Sequence, residues 1–393
     1  MANSLLTPSV ITKETLVMLE NNLVAANKVN RSFENQFVKI GASLTVRKPN
    51  RFKAVKGTAL QIQDITEPFT SITINQQAQV AWEFSSQDLE LTIEEFSERY
   101  CKPGASELAN AMDYDVLGNF SAVYNMVGTP GTVPASYGAI AAVGQRLDEE
   151  AAPQEGRTLI LGTAAYWSID QALTGNYVTR VAEPAFKGFL ANLANFEIYQ
   201  DQNTQSQTVG AYSGTPTVTG AGQTGSQLVT GGWGNSISGL LNVGDVFTIA
   251  GVYAVNPKNR QSTGQLRNFV VTATANSSSG GASTLSIYPA ITPSGAYQTV
   301  NASPANGAAI TVKGSASTSY GQNIGFVRDA FGLVTVPLPL PRGADFAARE
   351  TYKNISLRIW RDGDITNDQF PTRLDILYGT STFYPELACR LTN

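Results

Sequence analysis

The residues that could do chemistry in this chain are few, and their types exclude more than they offer. There is no His among the 393 residues, which removes the commonest general base and metal ligand. Two cysteines, Cys101 and Cys389, cannot make a four-ligand zinc site, and neither Ser-His-Asp nor Cys-His machinery can be assembled. Carboxylates remain, paired at Glu94-Glu95 and Glu149-Glu150. Adjacent residues on a helix point about 100° apart, so neither pair converges on one bond as acid and base must. The group Asp362-Gly363-Asp364 with Asp368 lacks the spacing of a twelve-residue calcium loop. The Gly-rich runs Gly220-Ala221-Gly222 and Gly231-Gly232-Trp233-Gly234 lack the Lys-Ser/Thr ending of a phosphate loop and read as turns. We expect no catalytic, metal or cofactor site, and no enzyme.

Charge patterning says more. Lys28 to Gly57 carries eight bases, among them Arg47, Lys48, Arg51, Lys53 and Lys56, against the single acid Glu34, a net +7. Leu60 to Glu98 carries eight acids, among them Glu90, Glu94, Glu95 and Glu98, and no base, a net −8. In a chain that is only 15% charged, adjoining blocks of opposite sign suggest a basic hairpin reaching an acidic surface on another copy, or salt bridges within one subunit. Its strands are expected near Ser43–Arg47 and Ile72–Ala81. The net charge of −4 gives no general field for nucleic acid, so DNA contact should be weak and non-specific. No apolar run approaches the roughly 20 residues of a membrane helix, and the opening MANSLLTPSVITKETL lacks a signal pattern. A cytoplasmic site of synthesis, no membrane partner and free thiols are expected.

The elements that must position these charges can be placed by periodicity. Leu16, Leu19, Leu23 and Val24 predict an amphipathic helix over 12–27; Leu108, Met112, Val116, Leu117, Phe120, Val123 and Tyr124 predict a long one over 105–126. A third helix follows Ser136, then a strand at Arg157–Leu161 and a helix from Thr163 to Leu173. From Asn203 to Tyr320 there are five charges, Asp245, Lys258, Arg260, Arg267 and Lys313, amid Gly, Ser, Thr and Asn. Alternating runs at Val246–Ile249, Phe269–Ala273 and Thr284–Tyr288 make this stretch a small all-β domain. Mixed character returns with Phe326–Val336, Ile355–Trp360 and Leu374–Tyr378, so the β-domain reads as an insertion at a loop.

The run Gly244-Asp245-Val246-Phe247-Thr248-Ile249-Ala250-Gly251-Val252, continued by Val255-Asn256-Pro257, Phe269-Val270-Val271 and Leu285-Ser286-Ile287-Tyr288-Pro289, resembles the inserted β-barrel of coat proteins of the P-twenty-two type, major capsid proteins of short-tailed phages. The order of the flanking segments is similar to the Hong Kong 97 capsid fold. The resemblance implies an α+β chain divided into an N-terminal arm (1–33), an extended loop (34–69), a peripheral domain with a long spine helix (70–126 and 369–393), an axial domain (127–202 and 321–368) and an inserted β-barrel (203–320).

It further implies hexamers and pentamers of an icosahedral head around double-stranded DNA, assembled in the host cytoplasm and ending in the virion. Arg47, Lys48, Arg51, Lys53 and Lys56 would dock on Glu90, Glu94, Glu95 and Glu98 of a neighbour, and Gly244, Asp245, Gly251, Asn256 and Pro257 would mark the insert. Because the chain begins directly at the arm, a separately encoded scaffolding protein is implied, together with a portal and a decoration protein as a further partner. Gly104 and Gly128 would be hinges of shell expansion. The stretch from Gly220 to Val243 has no charge, so the charged bridge that relatives make there between capsomers is not expected in that form. Two other readings stay open at this point. One is a nanocompartment shell of the same fold; the other is a carbohydrate-binding adhesin or enzyme, which needs converging carboxylates and exposed aromatics on the β-domain.

Overall fold

The computed structural model describes residues 8–32, 43–54, 57, 60, 62, 65, 67–85, 97–174, 190–344, 346–363 and 369–393. In chain order the elements are α1 (Pro8–Asn22), β1 (Ser43–Arg47), β2 (Phe69–Thr73), β3 (Gln76–Ser85), α2 (Lys102–Gly118), β4 (Met126–Val127), α3 (Tyr137–Glu149), β5 (Arg157–Leu161) and α4 (Thr163–Thr174). They continue as β6 (Leu190–Leu193), β7 (Phe196–Gln200), β8 (Ser206–Thr208), β9 (Gly214–Val218), β10 (Gly225–Trp233), β11 (Val246–Val255), β12 (Ser262–Val271), β13 (Ser283–Ile291) and β14 (Ile310–Val312). The last are β15 (Ser319–Val327), β16 (Phe331–Val336), β17 (Phe346–Tyr352), β18 (Ile355–Arg361), β19 (Gln369–Thr382) and β20 (Ala388–Thr392). The chain divides into two units, one of residues 1–46, 69–116 and 331–383, the other of residues 47–68, 117–330 and 384–393.

In the first unit α1 begins with Pro8, where a missing N–H costs nothing. It buries Ile11, Thr12, Thr15, Leu16 and Leu19 against β17 and β18. The helix therefore packs on its own chain. Beyond it, the Asn27 side chain donates to the carbonyls of Glu20 and Leu23 at 3.0 and 2.8 Å, satisfying groups that a helix end leaves open. The buried Asp113 carboxylate on α2 accepts the backbone N–H groups of Val24 and Ala26 at 2.8 and 2.7 Å, which ties the turn to that helix. The sheet of this unit runs β16-β19-β18-β17, with β3 paired along the other edge of β19 from Gln369 to Tyr378. Asp375, fully buried in β19, is held by Arg358 at 2.8 and 2.5 Å in a bidentate pair.

In the second unit β4-β20-β15-β5-β7-β6 form a mixed sheet. All five residues of β5 are buried, and helix α3 supplies Ile140, Val143 and Leu147 to a core with Leu159, Phe196, Ile198 and Leu391. After β7 the chain leaves this sheet through β8 and returns through the start of β15, and these two segments pair with each other, Ser206 to Gly321 and Thr208 to Ser319. Between them lies an antiparallel sheet in the order β14-β11-β12-β13-β10-β9. The edge strand β9 also bonds the residues that lead into β14: the Val218 N–H donates to the Ala308 carbonyl at 3.0 Å and the Gly307 N–H to the Val218 carbonyl at 2.8 Å. Leu228, Trp233, Phe247, Phe269, Leu285 and Ile287 fill the interior. In β13 burial alternates strictly, as period-two packing requires.

Several expected elements differ in their limits. The long helix stops at Gly118 and continues only as a 3-10 turn, Asn119–Ala122, after which Val123 is extended. Glycine is a poor helix residue, and Val123 must extend for its carbonyl to accept the Arg390 Nε at 2.8 Å. Phe120, Val123 and Tyr124 stay buried, so the apolar spacing runs through a break in backbone geometry. The strand expected over Ile72–Ala81 is two strands parted at Ile74-Asn75. There the backbone of β19 comes so close that a Cβ on Gly379 would lie 2.3 Å from the Thr73 carbonyl oxygen. Gly104, expected to be a hinge, lies in the first turn of α2, where a Cβ would meet Leu374 at 3.1 Å. It serves close packing of helix on sheet.

Candidate functional site

The basic residues of the loop fall into three situations. Arg47, at the end of β1, pairs with Glu67 at 3.0 Å on the surface, an exposed bridge worth about 0 to 1 kcal/mol. Lys48 lies with its ammonium 4.9 Å from the centre of the Tyr384 ring. Burial lowers its pKa, opposed by Glu386 and assisted by Arg51. Arg51 reaches Glu386 at 2.9 Å, its backbone N–H donates to the Tyr297 hydroxyl at 3.2 Å, and that hydroxyl donates to Asn50 Oδ1 at 3.3 Å. Lys53 is exposed. Lys56 lies outside the described residues, as do Glu90, Glu94 and Glu95, and Glu98 belongs to the π-helical turn Ser97–Cys101. The acids that Arg47 and Arg51 meet within the chain are thus Glu67 and Glu386.

Beside these charges the loop carries apolar side chains that none of the described residues covers. Phe52 is 63% exposed, Leu60 88%, Ile62 87%, Ile65 69% and Phe69 68%. Isolated exposed apolar residues are ordinary, but five large ones within 18 positions are more than a solvated surface usually carries. Charge counting drew attention to the segment, whereas these residues were passed over. Their signal was present as an apolar residue at nearly every second or third position in a stretch flanked by strands.

Gly244, Asp245, Gly251 and Asn256 each have a local task. Gly244 has φ +93°, and a Cβ there would stand 2.7 Å from Gln207 Oε1. Asp245 is buried and accepts from the Gly210 N–H at 2.9 Å, the Asn242 N–H at 2.8 Å and Gln207 Nε2 at 2.8 Å. Burial nevertheless raises its pKa. Arg390 of β20 lies near it, stacked 5.6 Å from the Phe120 ring; burial lowers its pKa to about 10, with Asp245 acting against the shift. Gly251 has φ +78° at a register irregularity between β11 and β12, the mark of a bulge. Asn256 turns the following hairpin, its Oδ1 accepting the Lys258 N–H at 2.9 Å.

A second cluster was not foreseen. Arg267 pairs with Glu150 at 2.5 Å, both side chains only 4% exposed, and its guanidinium lies 4.6 Å over the Tyr124 ring. Tyr124 donates to the other Glu150 oxygen at 3.2 Å. Burial pulls the Arg267 pKa down, but Glu150 and Tyr124 outweigh it and leave it raised. Burial and then Glu150 hold the Tyr124 hydroxyl well above its ordinary value. The rarity of charge between Asn203 and Tyr320 was the available clue: an arginine among so few charges is there for a specific partner. Glu149 meanwhile bonds Arg146 at 2.9 Å, so the Glu149-Glu150 pair is divided between two guanidinium partners. Trp233 is buried, with its indole N–H on the Thr230 hydroxyl at 2.8 Å. These placements remove that carboxylate pair and Trp233 as a sugar-binding arrangement.

Among the described residues no helix is long and apolar enough to cross a membrane. No curated protein sequence matches the chain. Among solved structures it is similar to a protein of Mycobacterium phage Che8, at 13% identity over 94% of this chain and 90% of that one, TM-score 0.48. It is similar to the virus-like particle protein of Pyrococcus furiosus at 9% identity over 97% of each chain, TM-score 0.40. It is also similar to the CUS-3 coat protein I-domain at 32% identity, over 25% of this chain and 96% of that one, TM-score 0.19. The model of one family, described as P22 coat protein, gene protein 5, matches residues 1–391. Matched over almost its whole length, the chain belongs to the P22 coat protein family and is a phage major capsid protein.

Proposed function

We propose that copies of this coat protein join as hexamers and pentamers by laying the loop of residues 34–69 over the neighbouring subunit. The observation that carries this reading is the exposed apolar series Phe52, Leu60, Ile62, Ile65 and Phe69. Burying a large apolar side chain contributes about 1.5 to 3 kcal/mol, against about 0 to 1 for an exposed ion pair. Docking is therefore mainly apolar, while the bases Arg47, Lys48, Arg51, Lys53 and Lys56 and the acids Glu90, Glu94, Glu95 and Glu98 set approach and register. Repeated around a capsomer, this is a head-to-tail contact that closes as a ring.

In the same reading residues 1–33 are the arm and 203–320 the inserted β-barrel; the sheet shared by β3 and β16–β19 supports placing 331–383, rather than 369–393, with 70–116 in the peripheral domain, and the sheet of β4, β5, β15 and β20 supports placing 384–393 with 127–202 and 321–330 in the axial domain. The pairing of β8 with β15, and the bonds from β9 to the residues leading into β14, support the inserted β-barrel. A separate scaffolding protein, a portal, a decoration protein and non-specific packaged double-stranded DNA are the proposed partners, met in the host cytoplasm. The subunit acts through self-association and conformational change, without catalysis. Reversing Arg47, Lys48 and Arg51 together to Glu tests the electrostatic part. Loss of shells with native circular dichroism is expected, and shells of normal yield would contradict it.

A further inference from the structure

The root of the loop touches two places in its own unit that are far apart in sequence. Asn50 and Arg51 bond Tyr297 of the segment between β13 and β14, and Arg51 with Lys48 engages Glu386 and Tyr384 of the turn before β20. Behind these contacts is a polar cavity of about 50 Å³, lined by Arg51, Glu386, Arg267, Glu150, Tyr288 and Pro257 among others. We propose that the loop root is a clamp: Arg51 joins the insert to the C-terminal turn and fixes the direction in which the loop leaves the subunit before a neighbour arrives.

The charges explain why the root stays in place. Two guanidinium groups and two carboxylates face the cavity, so it is balanced with Arg51 in position. Lifting the loop leaves Glu150 and Glu386 facing Arg267 alone. Glu386 is 14% exposed; its Oε1 accepts from Arg51, and its buried Oε2 has no hydrogen-bond partner among the described residues. A carboxylate so placed is costly to leave unpaired. Tyr297 adds geometry to charge, because one hydroxyl both donates to Asn50 and accepts from the Arg51 backbone. The insert, far from the loop in sequence, thereby helps to aim it. Pro257, picked out in the sequence as part of the insert's motif, lines the wall of the same cavity.

The clamp rests on reading residues 34–69 as the extended loop, and its test is made on the unassembled subunit so that it does not depend on shell formation. Amide hydrogen exchange over residues 43–54 would be compared in the full chain, in Tyr297→Phe, in Arg51→Glu, and in Arg51→Glu combined with Glu386→Arg. Exchange should rise about tenfold in each single variant, as expected for a local opening that has lost its bonds, and return towards the parent in the charge-swapped pair. Tyr297→Phe removes one oxygen and keeps the ring, so it retains the fold if Arg51→Glu does not. Unchanged exchange in Tyr297→Phe, or no rescue by the swap in a folded subunit, would overturn the clamp.

Discussion

Arg267 shows how much one residue can carry in a segment almost devoid of charge. It is held by Glu150 and Tyr124, residues that lie outside the 203–320 segment in sequence. Breaking a buried pair by removing one partner costs about 3 to 5 kcal/mol, because the remaining charge is stranded. Arg267→Ala should therefore lower subunit stability by about that amount in urea unfolding, while Arg260→Ala, in the hairpin turn of the same segment, should cost far less. Equal effects would mean that the pair contributes nothing specific. The thiols make a second test at this scale. Burial raises Cys101 to about 11 and Cys389 to about 12, whereas an unfolded thiol ionises near 9. The unfolded chain thus loses these protons first as pH rises. Their stabilising effect is complete below about 9 and is lost as pH climbs towards those folded values. In the native subunit at pH 8 neither thiol should react with iodoacetamide, and both should react in urea; rapid alkylation of the folded protein would contradict their burial.

Among the elements, the loop is the one proposed to control association. Leu60→Ser with Ile62→Ser removes two of its most exposed apolar side chains and should abolish shells while leaving a subunit with the parent's circular dichroism and melting temperature. Such legibility as the sequence had was uneven, for physical reasons. Strand β5 and helices α3 and α4 follow from local periodicity, since each buries one continuous set of side chains and ends at a turn signal. The end of α2 did not, because the side chains keep helical spacing while the Val123 carbonyl is claimed by Arg390, 267 residues away. Similarly, the break between β2 and β3 is imposed by Gly379 on another strand. Charge blocks singled out the segment but said nothing of which acids Arg47 and Arg51 meet. Glu67 lies close in sequence; Glu386 is 335 residues from its partner, and no pattern in a single chain reports such a pairing.

At the scale of the whole molecule, the proposed association buries the coat subunit's exposed loop against other copies. Exposed ion pairs weaken with salt, while apolar burial does not. Shell formation should accordingly slow as salt rises from low to moderate concentration, yet shells already formed should persist at salt that screens the loop's charges. The most direct test of the central claim is sedimentation velocity with negative-stain electron microscopy, run side by side on the parent chain and the Leu60→Ser, Ile62→Ser variant, each co-expressed with the neighbouring genes. The account predicts closed shells tens of nanometres across from the parent and folded, unassembled subunits from the variant. Shells of parental yield from the variant, or a stable monomer from both, would contradict it.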